Sequence, residues 1–353
     1  MKRFIAAALY TALVFAMTGC AKHETTGPNE ANKRYFDAWM KVNHPDVNPS
    51  GLGIYVLEDK KAGNNGNSVE VGDNGYALLD YKVTSLAGEI SSYTSKETAK
   101  QLGTYDTTAF YGPKFTSTAW GTSPAGVLDA IIGMKAGDYK KFIVPSWLMN
   151  YSSYETEGEY LNPNDEGYNA SNYENAIYEI KVVDYTEDID QWQRNKIGDY
   201  FAENREIFGN MTAKDTIPDY GGFYYKQLKA PADTASFSTD TTIYINYTGK
   251  LLGGLIFDTT IERVAKDNGL YSPDKTYGPV SIKWGEKFSD ITMGSSGSTV
   301  INGFSLTLWQ MKAMEKGIGI FTSYYGYGNT GTGESIPGFT PLIFEIEIVP
   351  KPE

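Results

Sequence analysis

The alternation of hydrophobic and polar residues follows one pattern twice along this chain. Each copy opens with apolar residues at the three- and four-residue spacing of an amphipathic helix. These positions are Phe36, Trp39 and Met40 in the first copy, and Ile197, Tyr200, Phe201 and Phe208 in the second. His44-Pro45 ends the first helical stretch, and the second ends before Ile217-Pro218. The pattern therefore predicts one leading helix in each copy.

Short strands follow each predicted helix in the same order. In each copy, a Gly-rich apolar strand leads through a polar turn into a second strand. The copy then closes on a strand of alternating apolar and polar residues. The matching segments are 51–57 and 222–228, 79–81 and 245–247, 142–144 and 318–321, and 176–182 and 342–348. The repeat predicts two tandem α+β domains, 31–187 and 188–353. Each is expected to be a twisted antiparallel sheet wrapped over one short helix, at 304–314 in the second copy.

The composition supports sheet structure, and the net charge argues against one class of partner. The 27 Tyr, 16 Phe and 37 Gly residues favour twisted antiparallel strands joined by turns. A net charge of -12 argues against nucleic acid as a partner, because binding phosphates requires a Lys/Arg-rich surface.

The first residues are typical of an export signal. Lys2 and Arg3 precede an apolar run over 4–17 that is too short to span a membrane. The run ends in Met17-Thr18-Gly19-Cys20, which resembles a lipobox with Met in place of the usual Leu. We predict a signal peptide over 1–19, lipidation of Cys20 and a polar tether over 20–30. The alternative is a secreted protein with an incidental cysteine.

The last third of the chain carries a more specific signature. It consists of a Tyr-Thr-Gly step at 247–249, a Phe-Asp pair at 257–258, a Val-Ile step at 300–301, Tyr327-Gly328, Ile336-Pro337 and Phe344. In this order, these residues resemble the core of the FKBP-type peptidyl-prolyl cis-trans isomerases. The steps from Tyr327 to Ile336 and on to Phe344 match that pattern without a gap.

The resemblance implies a reaction and assigns roles to residues. X-Pro bonds rotate slowly over a barrier of about 18–20 kcal/mol, and the twisted transition state is less polar than the planar amide. A dry aromatic cup therefore favours the transition state, with no cofactor or metal. The implied catalytic residues are Tyr247, Phe257, Asp258 and Tyr327. The implied substrate-binding residues are Val280, Val300, Ile301, Phe304, Ile336 and Phe344, with the backbone N–H of the Val-Ile step offered to the substrate.

Several positions depart from the family pattern. Val280 stands where a pocket aromatic is usual, Phe304 replaces a Trp, and Met314 stands where a Gly is common. Two insertions, within 259–277 and 286–298, enlarge loops beside the expected cup. The departures leave the cup in place.

The first copy, 31–187, resembles the family only weakly. It keeps Tyr81 but lacks the Thr-Gly step and the Phe-Asp pair, since Ser91-Ser92 follow Ile90, and Ser123-Pro124 stand near the Val-Ile position. Asn150-Tyr151 and Tyr178 are candidates for remaining aromatic lining. We interpret this copy as a degenerate domain without catalysis, and the segment 151–175 as a surface loop.

Other site types are disfavoured. The G-x-G-x-x-G run at 326–331 leads into Gly333, Pro337 and a strand instead of opening a helix, so nucleotide binding is not predicted. The acidic run at 162–167 has Tyr173 where a calcium loop requires Glu. His23 and His44 both precede the predicted core, which argues against a His-based zinc site or a catalytic triad.

The sequence therefore predicts a lipid-anchored prolyl isomerase of the cell envelope, periplasmic or outer-surface, that helps exported proteins fold. Its partners would be proline-containing polypeptides and the membrane that holds the Cys20 lipid, with no nucleotide or nucleic acid. Two alternatives remain open. One is a non-catalytic chaperone or scaffold that binds polypeptide in both cups. The other is a glycan-binding surface lipoprotein that uses its aromatic loops.

Overall fold

Two sheet-and-helix units make up the part of the chain that the computed structural model describes, residues 27–63, 69–149, 156–162, 164 and 174–353. The predicted signal peptide and Cys20 lie outside these residues, as do Asn150 and Tyr151. We call 27–187 the N-terminal unit and 188–353 the C-terminal unit; the division falls in the turn between a strand and a helix.

The N-terminal unit contains six strands and five helices among its described residues. The strands are β1 (Tyr55–Lys60), β2 (Tyr76–Ser85), β3 (Ile90–Tyr93), β4 (Lys114–Ser117), β5 (Tyr139–Val144) and β6 (Ala176–Thr186). The helices are α1 (Pro28–Asn43), α2 (Lys96–Leu102), α3 (Ala125–Ile131), α4 (Ser146–Met149) and α5 (Glu157–Tyr160). The strand order is β1-β5-β6-β2-β3, with β4 also paired to β2 and every pair antiparallel.

The C-terminal unit repeats this plan. Its strands are β7 (Phe223–Lys229), β8 (Thr242–Leu251), β9 (Ile256–Thr259), β10 (Val280–Lys283), β11 (Thr292–Met293), β12 (Ser298–Thr299), β13 (Lys316–Phe321) and β14 (Leu342–Val349). Its helices are α6 (Ile189–Glu203), α7 (Arg205–Phe208), α8 (Glu262–Asp267) and α9 (Asn302–Gln310), with short 3-10 turns at Phe288–Asp290 and Ser323–Tyr325. The order β7-β13-β14-β8, with β9 and β10 both on β8, matches β1-β5-β6-β2 with β3 and β4 both on β2.

The two units also match residue by residue. Tyr81 pairs with Ile180 across β2 and β6, as Tyr247 pairs with Ile346 across β8 and β14. The Tyr81 N–H donates to the hydroxyl of Thr94 at 2.9 Å, and the Tyr247 N–H donates to that of Thr260 at the same distance. The tandem repeat predicted from the sequence is confirmed as two copies of one α+β topology.

Each sheet is covered on both faces by helices. In the C-terminal unit α9 packs on one face through Phe304, Leu306 and Leu308, while α6 packs on the other through Ile197 and Phe201. Alternation along β13 explains this, because neighbouring residues of a strand point to opposite faces. Burying each such side chain is worth about 1.5–3 kcal/mol.

The structure differs from the prediction at two helix boundaries and at one buried residue. Helix α1 begins at Pro28, so the predicted tether over 20–30 extends into the first turn of a helix. Helix α9 ends at Gln310 instead of 314, and Met314 adopts a positive φ of 61°, the backbone conformation that favours Gly. The predicted surface loop 151–175 is wrong at Tyr160, which is 1% exposed and accepts a hydrogen bond from Asn29 at its carbonyl oxygen.

Candidate functional site

The candidate site is built on β8 and β9. Along β8 every second residue is buried, which turns Tyr247 and Gly249 toward helix α9. Gly249 pairs with Asp258 of β9, and the register shifts by one residue immediately beyond this pair. The bulge brings the Phe257-Asp258 pair next to Tyr247, although the two segments are separated in sequence.

Five aromatic rings meet here, and we call them the aromatic cluster. They are Tyr247, Phe257, Phe304, Phe321 and Phe344. Phe344 is central: it lies edge-on to Phe257 at 5.5 Å and to Phe304 at 5.1 Å between ring centroids. Tyr247 meets Phe304 edge-on at 5.2 Å. Such edge-to-face pairs stabilise one arrangement of the rings beyond the burial of their surface.

Four rings of the cluster are buried and one is partly exposed. Tyr247, Phe304, Ile336 and Phe344 are buried, whereas Phe257 is half-exposed. Other partly exposed apolar residues pack against the hydrophobic core that contains the cluster: Val280, Val300, Ile301 and Tyr327. Every apolar site residue predicted from the sequence therefore lies in, or packs against, one hydrophobic core.

Asp258 holds a tyrosine and a lysine at the edge of the cluster. Its carboxylate accepts a hydrogen bond from the Tyr247 hydroxyl at 2.6 Å and forms an ion pair with Lys275 Nζ at 2.6 Å. With side chains 38% and 43% exposed, the ion pair adds little to stability. The two contacts engage both oxygens of the carboxylate, one with Tyr247 and one with Lys275.

Two hydrogen-bond donors of the site have no acceptor among the described residues. The Ile301 N–H precedes the first turn of α9, where backbone N–H groups lack helical partners. Neither this N–H nor the Tyr327 hydroxyl forms a hydrogen bond within the described chain. Both residues pack against the hydrophobic core that contains the aromatic cluster, so a carbonyl oxygen bound there could accept from these donors.

The tyrosine hydroxyls of the site stay protonated at neutral pH. Burial raises the pKa of Tyr247, and the charge of Asp258 raises it further. Burial and, after it, the same carboxylate also raise the pKa of Tyr327. A protonated Tyr327 remains a donor over the whole physiological pH range.

Sequence reasoning missed two parts of the site. Lys275 lies in the 259–277 insertion, seventeen positions after its partner Asp258, and a lone lysine in a polar loop gives no signal. Phe321 stacks on Phe344 at 6.0 Å with ring planes 7° apart. Its position at the end of a predicted apolar strand identified it as core only.

The N-terminal unit has a cavity at the equivalent place. It measures about 590 Å³ and is lined by Tyr81, Val127 and Tyr178, which correspond to Tyr247, Phe304 and Phe344. Ser91 and Ser92 stand at the register positions of Phe257 and Asp258. This cavity therefore lacks the aromatic wall and the carboxylate of the C-terminal site.

The other predicted features are also located. The G-x-G-x-x-G run at 326–331 lies in a loop after the 3-10 turn Ser323–Tyr325 and opens no helix. Within the described ranges, no three His, Cys, Asp or Glu side chains are grouped as metal ligands would be. None of the helices in those ranges has the length and apolar character needed to cross a membrane.

Comparison with known proteins matches this architecture. The model of the family "FKBP-type peptidyl-prolyl cis-trans isomerase" matches residues 234–349. FK506-binding protein 1A of Aspergillus fumigatus is 31% identical over 125 residues, which cover 35% of this chain and 90% of that protein. A probable FKBP-type peptidyl-prolyl cis-trans isomerase of Haemophilus influenzae is 30% identical over 143 residues. That match covers 40% of this chain and 48% of the relative, so the chain spans about half of its length.

A solved structure containing the three FKBP domains of wheat FKBP73 is 16% identical, with a TM-score of 0.28. The match covers 84% of this chain and 93% of the wheat chain. The fold and the site define a sheet-and-helix unit with an aromatic cluster between the sheet and helix α9. The chain belongs to the family of FKBP-type peptidyl-prolyl cis-trans isomerases.

Proposed function

We propose that this protein is a lipid-anchored peptidyl-prolyl cis-trans isomerase that helps exported proteins fold, with catalysis in the C-terminal unit. The observation that carries the proposal is the pair of unpartnered donors, Ile301 N–H and the Tyr327 hydroxyl, beside the aromatic cluster. A prolyl ring in contact with the cluster would place its peptide carbonyls near both donors.

The chemistry follows from the polarity of the amide. Twisting the X-Pro bond removes its resonance, so the transition state tolerates an apolar surface better than the planar ground state does. Contact with Phe257 and Phe344 would therefore favour the twisted form. A hydrogen bond from Tyr327 would stabilise the rotating carbonyl, and each gain of about 1.4 kcal/mol would raise the rate tenfold.

Isomerisation of a short proline peptide, followed by a protease that cleaves only the trans form, tests the catalytic proposal. The wild type should accelerate the slow phase. Phe257→Ala removes a wall of the site and should abolish most of the acceleration. Tyr327→Phe removes one hydroxyl and should lower kcat/KM by about tenfold while leaving the melting temperature unchanged. A wild-type rate equal to that in buffer would refute catalysis.

The anchor is a separate proposal with a separate test. Cys20 follows a short apolar run with a basic start, which supports lipidation at that residue. The wild type should be recovered with the envelope membranes and carry acyl chains by mass spectrometry. Cys20→Ser should release it into the soluble fraction, and a membrane-bound, unmodified Cys20→Ser protein would contradict the proposal.

A second candidate function is polypeptide binding without catalysis in the N-terminal unit. The open cavity lined by Tyr81 and Tyr178 favours it, since an apolar side chain can enter where no Phe-Asp pair stands. Val127→Trp, which would fill the cavity, should reduce suppression of aggregation of an unfolded client and leave the peptide isomerisation rate unchanged.

A further inference from the structure

The loop that carries two site residues is held by the other unit. Residues 327–339, which we call the 327–339 loop, contain Tyr327 at one end and Ile336 near the other. Phe110 of the N-terminal unit donates its backbone N–H to the carbonyl oxygen of Glu334 at 2.8 Å. Phe339, at the end of the loop, contacts aromatic rings of the same unit. The position of the loop therefore depends on contacts outside the C-terminal unit.

The loop is internally tight and should move as one piece. The Phe339 N–H donates to Gly328 O at 2.8 Å, and the Gly331 N–H donates to Tyr327 O at 3.1 Å. A Cβ on Gly338 would lie 2.0 Å from the carbonyl oxygen of Asn329, so the two sides of the loop touch backbone to backbone. Because the loop is this compact, a shift at Phe339 is transmitted to Tyr327.

The contact at Phe339 involves two aromatic residues of the N-terminal sheet. Its ring lies 4.8 Å from that of Tyr76 and 6.0 Å from that of Phe115, both edge-on. Phe339 has a φ of 59°, which a phenylalanine adopts only when its surroundings hold it there. The rings of Tyr76 and Phe115 are part of those surroundings.

A second contact lies on the insertion beside the site. Gly269, just after helix α8, lies so close to Thr107 that a Cβ would come within 2.4 Å of its hydroxyl oxygen. Thr107 and Phe110 belong to one segment of the N-terminal unit. This segment therefore touches both loops that border the aromatic cluster, the 259–277 insertion and the 327–339 loop.

Helix α6 connects the 3-10 turn that precedes the loop to the N-terminal unit. Gln193 is 2% exposed; its amide donates to the Ser323 hydroxyl at 3.1 Å, and its carbonyl accepts from the Ser323 N–H at 2.7 Å. On the same helix, Trp192 donates to Asp184 of β6 at 2.9 Å and meets Phe115 edge-on at 4.8 Å.

We propose that the N-terminal unit positions the catalytic loop of the C-terminal unit, with Tyr76 and Phe115 as positioning residues that act through Phe339. This inference rests on the proposed function and deepens it. The N-terminal unit lacks a Phe-Asp pair of its own, yet Tyr76 of β2 and Phe115 of β4 contact the loop from which Tyr327 and Ile336 reach the site.

The test compares full-length variants that change only the N-terminal unit. Tyr76→Ala/Phe115→Ala removes both rings that contact Phe339, and neither residue belongs to the aromatic cluster. Trp120→Ala is the matched control, since it removes a 65% exposed aromatic side chain from the same unit. Hydrogen exchange of the peptide covering 327–339, kcat/KM and the melting temperature are measured for each.

The double variant should exchange the loop amides roughly three- to tenfold faster than the control, the factor expected for lost aromatic contacts. Its kcat/KM should fall by a similar factor at a temperature well below unfolding. A variant with Phe115→Leu in place of Phe115→Ala should recover part of the loop protection and part of kcat/KM. Loop exchange or kcat/KM equal to that of Trp120→Ala would overturn the proposal. The exchange measurement needs no substrate, so an inactive wild type would refute the proposed function separately.

Discussion

Gly249 offers the sharpest test of how the sheet shapes the site. It is the glycine of the Tyr-Thr-Gly step and lies beneath two rings of the aromatic cluster. A Cβ added there would lie 2.6 Å from Cε2 of Phe257 and 2.9 Å from Cε1 of Phe344. Carbon atoms that do not share a bond approach to about 3.5–4.0 Å, so Gly249→Ala must displace a ring by about 1 Å.

The displacement should affect activity more than stability. Phe344 is buried on all sides at 4% exposure, whereas Phe257 is half-exposed and can swing toward solvent. We therefore expect a loss of about 1–2 kcal/mol in the free energy of unfolding, toward the low end for overpacked sites. Loss of the Phe257 wall should lower kcat/KM by about tenfold or more.

Gly253→Ala is the matched control. Gly253 follows the same strand, and a Cβ there would meet nothing within 4 Å. Urea unfolding and the protease-coupled assay on both variants give the comparison. The double variant Gly249→Ala/Phe257→Ala should be less destabilised than the sum of the two single changes, because the clash is removed. If Gly249→Ala matched Gly253→Ala in both measurements, the steric reasoning would be wrong.

Three further predictions concern charges and buried polar groups. Lys275→Ala should change the free energy of unfolding by less than about 1 kcal/mol, since its ion pair with Asp258 is exposed, but should lower kcat/KM by freeing the carboxylate; an unchanged kcat/KM would contradict an orienting role. Glu315→Ala should cost about 3 kcal/mol or more in urea unfolding, because this 1% exposed carboxylate accepts from Tyr225 at 2.6 Å and from two other donors. Burial raises the pKa of Tyr178 and of Tyr224 to about 12. Their contribution to stability is complete below the unfolded value of about 10 and is lost as the pH rises toward 12, so urea midpoints should fall in that window.

The same steric argument explains why the two copies carry different residues at corresponding positions. Val83 occupies the register position of Gly249, and Ser91 occupies that of Phe257. A branched side chain fits in the N-terminal unit because the opposing phenylalanine is gone. The two changes belong together, and they leave a cavity in place of an aromatic wall.

Much of the fold was predictable because its signals are local. Alternation over 243–251 places Tyr247 on the buried face of β8 whatever the rest of the chain does, since the side-chain period of a strand is two. The repeat of this pattern in both halves predicted two similar units. The end of α1 at Asn43 agrees with the predicted stop at His44-Pro45, whereas the start of α1 and the end of α9 differ from the prediction. Several residues near a terminus can begin or end a helix equally well.

The sequence by itself determined the two sheets, their leading helices and all rings of the aromatic cluster except Phe321. Only the tertiary structure decided that Lys275 reaches Asp258, that Tyr160 is buried, and that the rings of Tyr76 and Phe115 contact Phe339. The physical reason is the sequence separation of the residues that interact. Strand faces follow from neighbouring residues, whereas contacts between loops depend on strand register and on how the two units pack, which no short stretch of sequence encodes.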